Sequence, residues 1–327
     1  MLLLLIIFRL SGILNDDFVI FEMGFIMPDG FISKLQRYST KDGPGVRTTV
    51  FAVGCPLNCL WCANPELIGD ASKFLYHPRR CVGCGACVAK SDGGIKLTEV
   101  GVEIDRDSAD LEEISVVCYY DAYEKVGGIV TVKELTSALL RDKVFYDQSG
   151  GGVTFSGGDP GMQAEFFRDV ALRLKDSEVH VALDTAGYFP WEKLAPLVAA
   201  VDLVLYDIKT LNRTLHKRYT GVDNQLILEN ALRIADTGKD MTVRMILIPG
   251  VNDSEDEITG RLKFIKNLSN KVRVDIIKYH KLGAGKYASL GMIEMMEGTP
   301  ECSDDIADYA INEARNMGLA VTLGGSA

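Results

Sequence analysis

Cys55, Cys59 and Cys62 close an apolar run, TTVFAVGCPLNCLWCANPE, with the spacing CxxxCxxC. Three thiolates in one short loop, with no fourth, leave one iron of a bound four-iron cluster without a protein ligand. That open iron is where a small molecule could coordinate and react. A zinc site short of its fourth ligand and a set of buried thiols are the competing readings. Structural zinc sites are usually built from paired CxxC or Cys/His sets, and the loop holds no histidine, the nearest being His77. A strand-forming run at 48–53 leads into the loop, and the aromatic Trp61 stands beside its last cysteine.

A second set, Cys81, Cys84 and Cys87, repeats the CxxCxxC spacing of bacterial ferredoxins, in which the fourth cysteine of a run ligates the other of two clusters. Ser91 stands where that fourth cysteine would fall. Counting back from Cys118 as the end of a second run puts its other ligands at Ser108, Leu111 and Ile114, none of them a thiol. One cluster of such a pair is then lost and the other kept by Cys81, Cys84, Cys87 and Cys118, a closed set suited to electron transfer. A zinc knuckle on the same four residues is the alternative, because CxxC spacings also serve zinc. Cys302 has no partner in the pattern and reads as an ordinary buried or helix-end thiol.

The elements that must position these groups follow from periodicity. Short β-rich runs at 151–158, 180–185, 203–209, 242–250 and 272–280 alternate with helical patterns, the signature of repeated βα units around a parallel sheet. With the run before Cys55 they make six strands. Helices are expected at 132–146, 164–175, 191–200, 226–236 and 255–268, where apolar residues recur at three- and four-residue intervals. A last helix, 304–317, precedes one more short run, LAVTLGG. The expected fold is α/β, a partial (β/α)6 TIM-like barrel with function at the C-terminal strand ends. Residues 78–122 break the pattern and read as a small ferredoxin-like insert, leaving 28–77 and 123–327 as a discontinuous barrel.

Polar motifs stand at those strand ends. SGGDP carries Gly157, Gly158 and Asp159, where glycines let a backbone approach a ligand, or else simply make a turn before a helix. DTAG carries Asp184 and Thr185, and YDIK carries Asp207 and Lys209. Charges at the tips of apolar strands are costly unless paired or liganded, although Asp207 and Lys209, sharing a strand face, could merely pair with each other. Arg244 is a charge inside the apolar run TVRMILIPG, and His280 ends KYH on the sixth strand. Ser254 and Glu257 make a capping box for the next helix. Before the first strand, RYSTKDGPGVR is either a turn alone or a segment whose Asp42 and Arg47 meet an incoming substrate.

Together these motifs resemble the radical S-adenosylmethionine (SAM) enzymes and, among them, the glycyl radical enzyme activating enzymes related to pyruvate formate-lyase activating enzyme. The likeness runs from about Gln36 to Gly325. It implies that Cys55, Cys59 and Cys62 hold a [4Fe-4S] cluster whose open iron chelates SAM, with Trp61 beside it. It implies a second [4Fe-4S] cluster in the insert, and a 5′-deoxyadenosyl radical that takes hydrogen from a glycine of a partner enzyme. By the same resemblance Gly157, Gly158 and Asp159 meet the methionyl amino group, Asp159 standing where relatives carry Glu. Asp184, Thr185 and Asp207 would help bind a monovalent cation beside the cofactor carboxylate, while Lys209, Arg244 and His280 face SAM. The expected partners are a glycyl radical enzyme as protein substrate and flavodoxin or ferredoxin as electron donor. A radical SAM reaction on a small molecule and a plain iron-sulfur electron carrier are the competing functions.

Composition agrees with that class. The 327 residues are 47% hydrophobic and carry a net charge of −10, which argues against a general grip on nucleic acid or anionic membrane. Eight cysteines, seven of them in cluster spacings, do not make a disulfide-stapled secreted scaffold and point to a reducing, cytoplasmic setting. The apolar start, MLLLLIIFRLSGIL, is interrupted by Arg9, too short to span a bilayer and a poor secretory signal. Residues 1–27 are read as an N-terminal extension, with the functional start near Met23 or Met27.

Overall fold

The structure, a computed structural model, describes residues 29–269 and 271–325; the expected extension at 1–27 lies outside them. Strand β1 (Gly30–Ser39) turns back antiparallel onto β2 (Arg47–Ala52). After the cysteine trio comes β3 (Phe74–Tyr76), then α1 (Ala86–Lys90), the hairpin β4 (Ile95–Thr98) and β5 (Gly101–Ile104), and α2 (Leu111–Val116). Strand β6 (Tyr123–Lys125) returns to pair antiparallel with β3, and β7 (Gly128–Val130) pairs with β1. A small core of its own, Tyr76, Cys87, Ile95, Ile114, Ala122 and Tyr123, fills the space between these pieces.

The remaining chain alternates regularly: α3 (Val132–Leu140), α4 (Lys143–Ser149), β8 (Gly152–Gly157), α5 (Ala164–Asp176), β9 (His180–Thr185), α6 (Trp191–Ala200) and β10 (Leu203–Asp207). Then follow α7 (Arg213–Thr220), α8 (Gln225–Asp236), β11 (Asp240–Leu247), α9 (Glu255–Leu268), β12 (Arg273–Lys278), α10 (Ala284–Ser289), α11 (Asp304–Asn316) and β13 (Val321–Leu323). The helix expected over 132–146 is two helices. Asp142 interrupts it by accepting from Arg37 Nε at 2.7 Å and Thr48 Oγ1 at 3.0 Å.

The sheet order is β13-β12-β11-β10-β9-β8-β2-β1-β7, parallel from β2 through β13. The six expected strands are present and the short run near the C-terminus adds a seventh. Because each right-handed crossover steps the same way along the sheet, the helices fall on one face. That face buries Val181, Leu183, Val204, Tyr206, Val243 and Met245 under apolar helix residues such as Phe167, Leu194 and Leu262. Each such fully buried large side chain contributes roughly 1.5–3 kcal/mol. A sheet covered on one side curls around its other face, giving an open barrel rather than a doubly wound layer. Among the described residues, no helix is long and apolar enough to cross a membrane.

The inner face is different in kind. Ala182, Leu203 and Leu205 form a small apolar floor. Next to it opens a cavity lined by Lys41, Thr242, Arg244, Arg273, Asp275 and Thr322, among others.

Candidate functional site

The cysteine trio sits immediately past the C-terminal end of β2, and three other segments hold its backbone. Cys55 N–H donates to Gly69 O at 3.0 Å, and Gly69 N–H returns a bond to Cys55 O. Asn58 and Leu60 donate to Thr220 O and Tyr219 O on α7, and Tyr287 Oη on α10 donates to Cys62 O at 3.0 Å. Glu66, buried behind the loop, accepts from Lys286 Nζ at 2.6 Å, and Lys286 also reaches Asn64.

Burial pushes all three thiols above their ordinary range, Cys59 to about 12, and each is raised further by a nearby acidic group or thiol. Lys209 opposes this at Cys59 and Cys62. Among the described residues no group of His, Cys, Asp or Glu converges on a single metal ion. The trio's fit to an iron-sulfur cluster therefore rests on its donor chemistry: three soft ligands in one pinned loop with a cation beside them.

Trp61 was expected at the cofactor. It packs in the main core against Tyr219, ring centroids 6.1 Å apart, and anchors the loop.

SGGDP is joined to this loop main chain to main chain. Gly158 N–H donates to Ala52 O at 2.9 Å and Asp159 N–H to Gly54 O at 2.7 Å. A Cβ on Gly158 would lie 2.1 Å from Gly54 O, so glycine is required here by the neighbouring strand end. Asp159 is 1% exposed, and its two oxygens accept from Thr185 Oγ1, from Ala186 N–H at 2.9 Å and from Gly161 N–H at 3.0 Å. Three donors leave one of the carboxylate's roughly four acceptor positions uncommitted. The Thr185 hydroxyl donates to Asp159 and accepts from Gly187 N–H at 2.9 Å. Burial pushes the Asp159 carboxyl up to about 7, against the donors around it.

The other strand tips converge. Asp207, Arg244 and Asp275 are successive partners across β10, β11 and β12, so their side chains leave the same face of the sheet. Arg244 donates to Asp184 at 3.0 Å and lies 3.7 Å from Asp42 and 3.8 Å from Asp275. Ser156 Oγ also donates to Asp184, at 2.7 Å. Burial raises the Asp184 carboxyl and Arg244 opposes the shift. Burial pulls Arg244 down, yet Asp184, Asp207, Asp42 and Asp275 together hold it above its ordinary value. Lys209 Nζ pairs with Asp207 at 2.9 Å, and burial there is likewise outweighed by Asp207 and the Cys59 and Cys55 sulfurs.

His280 lies just beyond the end of β12 and is exposed, accepting from Leu282 N–H at 3.4 Å. Arg47 is fully buried, donating to Thr154 Oγ1 and Val153 O, and cannot meet an incoming substrate. Asp42 is held by Ser39 and Thr49 hydroxyls beside Arg244. Asp275 was missed, although it carries the signal used for Arg244, a charge within an apolar strand. Cys302 is a buried thiol just before the α11 cap Ser303.

Cys81, Cys84, Cys87 and Cys118 line one solvent-open recess with Tyr120, Tyr123, Leu97 and Val102. Cys87 is buried and Cys84 exposed. Ser91 closes a turn by donating to Val88 O and accepting from Ile95 N–H.

An open cysteine trio on the first strand end of a singly wound parallel barrel, with charged tips facing it, defines a radical-generating barrel enzyme. Residues 49–262 match the Radical SAM superfamily. The chain is 37% identical to the choline trimethylamine-lyase activating enzyme of Oleidesulfovibrio alaskensis, over 84% of this chain and 91% of the relative. It is 39% identical to the isethionate sulfite-lyase activating enzyme of Nitratidesulfovibrio vulgaris, over 79% and 86%. The solved structure of Streptococcus suis SuiB with its precursor peptide SuiA shares the fold alone, with TM-score 0.51 and 12% identity over 84% of this chain and 47% of that one. This chain belongs to the radical SAM superfamily and, within it, to the glycyl radical enzyme activating enzymes.

Proposed function

We infer that this chain binds SAM over the cysteine trio and directs the radical derived from it to a glycine of a partner glycyl radical enzyme. The observation that carries the reading is the trio itself, three pinned cysteines facing a lumen of paired charges. When bound, a [4Fe-4S] cluster supplies one electron that breaks a carbon–sulfur bond of SAM, leaving methionine and a 5′-deoxyadenosyl radical that takes the glycine hydrogen. Cys55, Cys59 and Cys62 are its ligands. Lys209, already beside Cys59, orients the cofactor carboxylate, and Gly157 and Gly158 keep side chains out of the space beside the loop. Asp159 holds that turn in place. Asp184 and Asp207 are the carboxylates for a monovalent cation, and Arg244 screens their charge.

Residues 78–122 form a ferredoxin-like module whose four cysteines hold a second [4Fe-4S] cluster. It relays electrons from a flavodoxin or ferredoxin donor. The barrel comprises 28–77 and 123–327. The relatives are named for different lyases at similar identity, so their names do not single out one partner for this chain.

Anaerobic reconstitution tests the reading. About eight irons per chain are expected, falling to about four when the trio is changed to Ala and to about four when the quartet is. SAM should perturb the EPR signal only where the trio is intact. Given a peptide with the partner's glycine loop, the reduced enzyme should form a peptide radical; deoxyadenosine without one would reassign the substrate to a small molecule.

A further inference from the structure

Tyr123 stands at the wall of the cysteine recess in an unusual state. It is 7% exposed, lines the recess with all four cysteines, and its hydroxyl meets no conventional hydrogen-bond partner among the described residues. A buried polar group left unpaired is destabilising, so an accepting group belongs in front of it.

The ring cannot turn to find one elsewhere. Tyr123 pairs in register with Tyr76 across β6 and β3, and the two rings lie 5.3 Å apart at 40°. Tyr76 is itself fixed, its hydroxyl accepting from Val102 N–H at 3.1 Å on the β4–β5 hairpin. The backbone beside Tyr123 is tied to the quartet as well, since Ala122 N–H donates to Cys118 Sγ at 3.4 Å. The polar groups that act on the Tyr123 hydroxyl are the Cys87 thiol first, then the Tyr76 hydroxyl, which already accepts from Val102, and the Cys118 thiol.

We propose that Tyr123 donates an O–H···S hydrogen bond to the sulfur shell of the iron-sulfur cluster held by Cys81, Cys84, Cys87 and Cys118, and so raises that cluster's reduction potential. The inference rests on the second-cluster reading above. A hydrogen bond to a cluster sulfur draws electron density from it and favours the reduced state. Tyr123 is a positioning and tuning residue and takes no part in the chemistry at the trio.

The test is a redox titration of the reconstituted holoenzyme, followed by EPR, for the wild type and Tyr123→Phe. The expected result is a full iron count in both, with one of two reduction waves moved to lower potential in the variant and the trio's wave unmoved. Pulsed EPR of the reduced second cluster should also lose one strongly coupled proton that exchanges in D2O. Unchanged waves and unchanged proton coupling at full iron count would overturn the proposal. So would loss of about four irons from the variant, which would give Tyr123 a purely structural role. A wild type with about four irons, or with zinc at the quartet, is a different failure. It would remove the second cluster itself.

Discussion

Asp159 shows how one carboxylate can be spent on architecture within an active site. Its oxygens tie together the 3-10 turn at Gly161 and the end of β9 at Thr185 and Ala186. Burial nonetheless lifts its carboxyl to about 7, well above an unfolded value near 3.8. A native-state pKa raised in this way contributes stability that is complete below about pH 4 and lost as pH climbs through about 7. Asp159→Asn cannot titrate, and its amide NH2 must face Gly161 N–H or Ala186 N–H, a donor against a donor. At pH 5 the variant should therefore be less stable by about 1–3 kcal/mol. The gap should narrow toward pH 8 as only the wild type weakens. Urea unfolding of the apoprotein at both pH values measures this. A constant gap would show that the carboxyl titrates normally.

Strand ends, rather than strands, carry the constraints that bring SGGDP to the cysteine loop. Gly158→Ala should push the two backbones apart, because the added Cβ meets Gly54 O at 2.1 Å and Leu67 O at 3.0 Å with no flexible side chain to yield. Overpacking of this kind costs about 1–3 kcal/mol. The displaced loop should also hold less iron on the trio while the quartet keeps its own. A melting curve and an iron count on the same sample check both effects; unaltered loading would mean that the loop tolerates the shift. The alternation of strands and helices was legible in sequence because apolar period and helix caps are local signals. So were both cysteine sets. Strand β1 escaped, since only three of its ten residues are buried and they give little apolar pattern. The uses of Asp159, Thr185 and Trp61 were illegible for another reason: their partners arrive from separate elements. His280 reads in sequence as the end of the sixth strand, whereas β12 stops at Lys278.

An open barrel must hold its curvature without a closing pair of strands, and the lumen charges supply a tie across it. Arg244 on β11 reaches Asp184 on β9, Asp275 on β12 and the β1–β2 turn through Asp42 and Lys41 O at 3.3 Å. The far edge joins the same network, for Gly325 N–H, just past β13, donates to Asp275 Oδ1 at 2.9 Å. Removing the cation would leave these carboxylates facing one another in a half-dry space. Arg244→Met should therefore cost about 3–5 kcal/mol at pH 8, the range for stranding buried charge. The sign of the pH dependence follows from Asp184, whose carboxyl burial already raises against the opposing pull of Arg244. Without Arg244 that pKa rises further, so the native state binds protons that the unfolded state, with carboxyls near 3.9, does not. Stability of the variant should consequently be highest at low pH and fall as pH rises through the shifted values. Part of the loss seen at pH 8 should be recovered at pH 5, relative to wild type. Urea midpoints across that interval decide the matter: a loss independent of pH would mean that Arg244 acts by packing alone, and that the barrel's two edges are held by something other than charge.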